Sequence, residues 1–292
     1  MKTPRSLADL AFFSFMSPLE GPIHADGDYD GALINDEALG TDTVEGVVAS
    51  GSRFAESAVT GLTFDGGTLR KCRMSDVWLG ETRLVSAELA ESSLVDTWWS
   101  GCVLAGVQAF SVQFRRVSFR GCKLDSVNFR DATMTDVTFE DCVLRDADFS
   151  GARLTRVRFP GCTLTEARFE HATCSSVDLR GASLGITAGF DALGGATIDS
   201  LQLMALAPLL AHHLGINVKD ALFAAYLWHK ILGRTSITRG HTGCLVRARA
   251  PGIRCRSFRA GPGGAVARVP RMDARGLTAL ARPRPLPFVK SV

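Results

Sequence analysis

The sequence has no run approaching the ~20 uninterrupted apolar residues that a membrane-spanning helix requires. The stretch "LADLAFFSFM", residues 7–16, is short and contains Asp9, and "LQLMALAPLLAHHLG", residues 201–215, is interrupted by Pro208, His212 and His213. No membrane partner is therefore expected. No small-x-small cleavage site follows the apolar run behind Lys2 and Arg5, so a secretory signal is not expected either. The 8 cysteines lack the paired spacings of a zinc site and are too sparse for a disulfide scaffold in 292 residues. They read as reduced thiols of a cytoplasmic protein. H-E-x-x-H, G-x-S-x-G and phosphate-loop patterns are also missing. No catalytic, cofactor-binding or metal residue is assigned, and no enzyme is expected.

Acidic residues are nearly absent from one end. Residues 234–292 carry thirteen bases against Asp273 alone, whereas residues 1–45 carry nine acids and two bases, and residues 51–185 are close to neutral with seventeen acids and sixteen bases. The formal net charge of +3 hides this asymmetry.

Between these ends runs a strict period of five. Counting every fifth residue from Phe54 to Leu184 gives twenty-seven units without an insertion, among them Phe64, Leu84, Trp99, Leu104, Ala109, Phe119, Phe129, Phe139, Phe149, Phe159 and Phe169. The position two residues earlier is small, as at Cys102, Val107, Val112 and Val117. Five matches neither the 3.6 of a helix nor the 2 of a strand, so each unit must make one short straight piece and one turn. Fixed self-similarity of this kind marks a solenoid, in which neighbouring repeats stack to bury a continuous core. Cys102, Cys122, Cys142 and Cys162 occupy identical slots twenty residues apart, which predicts four units per coil and almost seven coils. Residues ten apart then lie on opposite walls, so the large Trp99 faces the wall that carries the small Ala109.

Units such as "ADFSG", "ARLTR", "VNFRD" and "VDLRG" resemble the pentapeptide-repeat family, in the form found in bacteria with a C-terminal capping helix. The resemblance covers about 135 residues. It implies an all-β solenoid, a right-handed quadrilateral β-helix with the central Leu or Phe and the small residue before it pointing inward, and no activity in the rod itself.

The expected organisation is an acidic arm over 1–45, the β-helix over 46–186, a helical cap over 187–233 and a basic Arg/Gly/Pro-rich tail over 234–292, expected to be disordered. In the cap, Asp199 is the predicted N-cap and Gly215 the predicted stop. Leu201, Met204, Leu209 and Leu210 form the expected buried or dimerising face, and Pro208 is expected to kink or split the helix. Asp220–Gly233 reads as a second amphipathic helix with Phe223, Tyr226, Leu227 and Ile231 inward; His212, His213 and His229 read as helix-surface residues.

The leading functional expectation is a non-catalytic protein-interaction scaffold with an unidentified protein partner. Its candidate partner-binding residues are Trp78 and Trp98, twenty apart and hence neighbours on one outer face. The competing expectation is that the arm, with Phe12, Phe13 and Phe15, folds back over them. A homodimer through the C-terminal helix is compatible with either. The resemblance also raises mimicry of DNA and binding of DNA gyrase, with an effect on quinolone sensitivity. That reading needs rows of carboxylates, and the predicted column Asp76, Asp96, Arg116, Asp136, Arg156 alternates in sign, so its field cancels within about a Debye length. A third expectation is nucleic-acid binding through the Arg-rich tail.

Overall fold

A computed structural model of the chain describes residues 4–219 and, beyond them, only the backbone of Arg239–Gly240 and Gly243–Cys244. The expected helix at 220–233, with His229, and the basic tail over 234–292 lie outside the described residues.

The five-residue period becomes a parallel β-solenoid with four walls. On the first wall Tyr29, Phe54, Met74, Leu94, Phe114, Met134, Leu154 and Cys174 stack in register. The second wall stacks Ile34, Val59, Leu79, Trp99, Phe119 and Phe139. The third stacks Val44, Phe64, Leu84, Leu104, Leu124, Leu144, Leu164 and Leu184. The fourth is held by single bridges from Val48 through Thr68, Glu88, Gln108, Asn128 and Asp148 to Arg168. From Phe54 to Leu184 the register is twenty residues, as the cysteine spacing predicts, and it slips by one in the last coil, where Ala167 pairs with Ile186 and Val177 with Ala196.

Each corner has the same backbone requirement. All 27 positions taken in fives from Gly51 to Gly181 have φ between +45° and +78°. This left-handed region is open to Gly and tolerated by Asp and Asn. The corners are accordingly rich in Gly, Asp and Ser, although Arg116, Arg156 and Lys71 adopt it as well.

The core is one continuous cluster from Tyr29 to Ile186. In-register stacking places like rings one strand spacing apart, near ~4.8 Å. Phe119 and Phe139 stack at 4.8 Å, Phe139 and Phe159 at 5.0 Å, Phe129 and Phe149 at 5.1 Å, and Phe149 and Phe169 at 5.0 Å. The two columns stand on opposite walls and meet edge to face, Phe139 with Phe149 at 6.5 Å and Phe149 with Phe159 at 6.3 Å. Such pairs contribute about 0.5–1.5 kcal/mol beyond the area they bury. Trp99 caps the second-wall column at 5.4 Å from Phe119, and both Trp99 and Ala109 are buried. Toward the N-terminus aliphatic residues replace the rings of these two columns, while Tyr29 stacks on Phe54 at 4.8 Å on the first wall, and a void of about 30 Å³ remains between Ile34, Phe54, Val59, Leu79, Leu89 and Trp99.

The small inward slot also has a fixed role. Cys102, Cys122, Cys142 and Cys162 are buried free thiols, with Sγ 3.2–3.5 Å from the carbonyl oxygens of Leu79, Trp99, Phe119 and Phe139 in the preceding coil. Burial pushes the Cys72 and Cys174 thiols up to about 11.

Three expectations need correction. First, the solenoid does not begin at 46. Asp28–Asp30, Ala32–Ile34 and Thr43–Glu45 already form a coil, with Tyr29 paired to Phe54 at a register of twenty-five. The extra five residues form a helical turn, α1 (Asp36–Leu39), inserted at one corner. Second, the solenoid runs past 186: Ser183–Ala188 pairs with Thr163–Arg168, and Ala196–Thr197 pairs with Val177–Asp178. Third, the capping helix α2 (Ser200–His213) is a single helix that contains Pro208, and it buries Gln202 and Leu206 rather than the predicted face. Leu201 is 72% exposed, Met204 64% and Leu209 44%, while Leu210 is half-buried. Gln202 fixes this orientation, because its Nε2 donates to the carbonyls of Leu179 and Ala182, both at 2.6 Å, at the open end of the last coil. Asp199 is the N-cap as predicted, accepting from the Gln202 amide at 2.9 Å, and Gly215 takes the left-handed turn at φ 69°.

Candidate functional site

The second wall carries the candidate site on its outer face. Strands Arg53–Thr60, Arg73–Gly80 and Ser93–Ser100 each cross from the first wall to the second and place Ala58, Trp78 and Trp98 in one outward column. The next column is Thr60, Gly80 and Ser100. Its small side chains leave room for the indoles to lie along the sheet: a Cβ on Gly80 would stand 2.7 Å from Trp78 Nε1.

The expectation of two exposed tryptophans does not hold for Trp78, which is 5% exposed; Trp98 is half-buried. The N-terminal arm covers them, as the competing expectation had it, though of its three phenylalanines only Phe12 takes part. Leu10 is buried against Ala58 and Trp78, and Leu7, Phe12, Met16 and Leu33 pack around this small cluster, which is separate from the core. Phe13 and Phe15 remain exposed, Phe15 at 81%. Leu7, Leu10, Phe12 and Met16, spaced by three, two and four residues, were the available signal, but the arm is built from two 3-10 turns, Leu7–Asp9 and Phe13–Phe15, whose faces no long period marks.

From the edge of the arm an open groove of about 820 Å³ runs down the same wall. It is bordered by Leu10, Phe12 and Trp98 at its head and by Arg116, Arg158 and Asp178 below. Several of its charges are paired coil to coil. Arg116 Nε meets Asp96 Oδ1 at 2.6 Å, Arg156 Nε meets Asp136 Oδ1 at 2.6 Å, and Arg120 Nε meets Glu140 Oε2 at 2.8 Å. The Arg156 guanidinium holds the Asp136 carboxyl below the usual carboxylate range. Asp76, at the head of its column, is the opposite case: burial and then the neighbouring Asp96 and Glu56 charges push it up. The column predicted from Asp76 to Arg156 thus holds the ion pairs Asp96–Arg116 and Asp136–Arg156, and its carboxylates run in succession only from Glu56 through Asp76 to Asp96.

No cluster of His, Cys, Asp and Glu among the described residues has the arrangement of a metal site. His213 lies on the helix surface with Nε2 3.1 Å from Asp191 Oδ1. No helix among the described residues is long and apolar enough to cross a membrane.

Residues 92–169 match the family described as "Pentapeptide repeat region". Residues 92–169 are a pentapeptide-repeat region. That match is to a structural repeat and not to an enzyme family. Among solved structures, HetL, a pentapeptide repeat protein involved in heterocyst differentiation regulation from the cyanobacterium Nostoc sp. strain PCC 7120, is 17% identical. It covers 62% of this chain and 92% of its own, with a TM-score of 0.40. QnrB1, a plasmid-mediated fluoroquinolone resistance protein, is also 17% identical, covering 65% of this chain and 100% of its own at a TM-score of 0.28. A pentapeptide repeat protein of the Arabidopsis thaliana thylakoid lumen is 11% identical, covering 42% and 73% at 0.28. Among curated protein sequences none matches. The pentapeptide-repeat assignment rests on the chain's own register and the matched repeat region.

Proposed function

We propose that this pentapeptide-repeat protein is a non-catalytic scaffold that binds a protein partner along the outer face of its second wall. The observation that carries the reading is the groove itself: an open channel of about 820 Å³ headed by Trp98 on a solenoid whose interior is filled by its own side chains. A half-exposed Trp beside paired charges has the composition of an interface anchor with a polar rim. The buried free thiols fit a reducing compartment, and we place the protein in the cytoplasm. The test is affinity capture from native lysate with wild-type protein, a Trp98→Ala/Arg158→Ala groove variant and a third-wall control, Arg83→Ala. A protein held by wild type and control and lost from the groove variant supports the reading. Identical captures by all three would sink it.

A second reading, compatible with the first, is a homodimer through α2, favoured by the exposed Leu201, Leu203, Met204 and Leu209. Sedimentation should show a dimer that Leu201→Glu/Met204→Glu dissociates; a monomer at all concentrations would exclude it. Binding of DNA gyrase is disfavoured by the ion-paired ladder, and a supercoiling titration without effect at micromolar protein would remove it.

A further inference from the structure

We propose that residues 4–16 are a displaceable strap, occupying in cis a seat that accepts a partner segment of the same chemistry. That segment is short and turn-forming, with bulky apolar side chains spaced as Leu7, Leu10 and Phe12. The proposal rests on the scaffold reading above and specifies both what the partner brings and what it must remove.

The seat is built into the sheet and does not depend on the strap. Ala58, Trp78 and Trp98 are fixed by the strand register, and Gly80 is the residue that lets the Trp78 indole lie down. An outward column with two indoles is out of character for this wall, whose later members are Ser118, Thr138, Arg158 and Asp178.

The strap is held differently from everything below it. Its main-chain hydrogen bonds join its own residues: Asp9 to Ser6, Leu10 to Leu7, Phe13 to Leu10, Phe15 to Phe12 and Met16 to Phe13. Among the described residues, the first main-chain bond from this end of the chain to the solenoid is from Ser17 N–H to the Gly31 carbonyl, at 3.0 Å. Side-chain contacts therefore hold residues 4–16 on the wall, and Leu10 alone among them is buried. Ordering a dozen residues buries Leu10, partly buries Pro4, Leu7, Phe12 and Met16 and covers Trp78, a small gain against the ordering entropy, so opening is a local event of lower energy than unfolding the solenoid. The solenoid does not open with it, because each coil is bonded to its neighbours by main-chain hydrogen bonds.

The groove and the seat share Leu10, Phe12 and Trp98 at their boundary. A segment lying in the groove and extended toward the N-terminal end of the wall meets the strap and must displace it to reach Trp78. The occupant's character follows from the strap, which fills the seat with two 3-10 turns carrying Leu and Phe.

The test uses the full chain and a labelled peptide with the sequence of residues 4–16 as probe. In wild-type protein the strap competes, so apparent affinity is reduced by the fraction of time the seat is open. Leu10→Asp should release the strap and tighten peptide binding by about tenfold or more. Adding Trp98→Ala to that variant should abolish the gain. Should Leu10→Asp fail to retain the wild-type circular dichroism spectrum, Phe12→Ser at the half-buried position serves in its place. Equal affinity of wild-type and strap-released protein, or peptide binding indifferent to Trp98→Ala, overturns the proposal. Partner capture that depends on Trp98 and Arg158 would still stand in that event, so failure of the strap and failure of the scaffold are separable.

Discussion

Ala109 is small because Trp99 is large. The two stand on opposite walls of one coil, both buried, at the point where the aromatic columns give way to aliphatic residues. Ala109→Leu should overpack this level and cost about 1–3 kcal/mol, and Trp99→Leu in the same chain should recover much of the loss. Equal melting temperatures for the single and double variants would refute the pairing. At the corners the constraint is conformational. Gly121 has φ 59°, and a Cβ added there would meet nothing within 4 Å, so Gly121→Ala should cost about 1 kcal/mol through the backbone alone, read by denaturant titration. Asp76 is a residue-scale liability, since its raised carboxyl favours the proton. Above the ordinary carboxylate range the unfolded chain has released that proton more readily than the folded one, so the charge destabilises the fold at neutral pH and ceases to do so in acid. Asp76→Asn keeps a residue that tolerates the left-handed corner and should raise stability at pH 7 by no more than about 1 kcal/mol, given solvent screening. The gain should vanish as the pH falls below that range; a gain independent of pH would point to another cause.

At the scale of the element, α2 shows that a cap is oriented by its polar contacts as much as by its apolar ones. Apolarity alone predicts that the stripe of Leu201, Met204 and Leu209 lies against the rod. Instead, the last coil exposes carbonyls that require donors, and Gln202 supplies them. Gln202→Leu should therefore destabilise by about 2 kcal/mol despite adding apolar surface, with faster amide exchange around Leu179–Ala182. Unchanged stability would mean that water replaces the amide at no cost. The period, the inward residues and the twenty-residue coil were legible because each is repeated many times. The first coil was legible too, since Tyr29, Ile34, Leu39, Val44 and Ala49 continue the same count; what hid it is that this coil holds five units, with α1 as the extra one. The strap over Trp78 was not legible in any period, because outward slots are constrained by whatever covers them and not by the stacking.

For the solenoid as a whole, stability is approximately a sum over coils and the contacts between them. Those contacts are unequal. The continuous columns of stacked rings run from Phe119 to Phe169, whereas the coils from Ile34 to Trp99 hold the void and the single stacked pair of Phe54 with Tyr29. Native-state hydrogen exchange should find the greatest protection over residues 119–169 and progressively less toward Tyr29; uniform protection would indicate that the described solenoid opens as a single unit. The exposed ladders should matter little to this gradient, since surface pairs contribute about 0–1 kcal/mol each and are screened by salt.

The extra turn α1 has a consequence for how such a chain changes length. Twenty-five residues separate Tyr29 from Phe54 where twenty suffice elsewhere, yet every residue after the insertion returns to its wall. Length here is a matter of phase. A whole coil can be gained or lost without turning any later side chain to a new direction, and five residues can be absorbed if a corner loops them out. Five residues removed from a wall would instead rotate everything downstream by a quarter turn against the coils before it, and α2 would turn with the coil it caps, Gln202 keeping the Leu179 and Ala182 carbonyls.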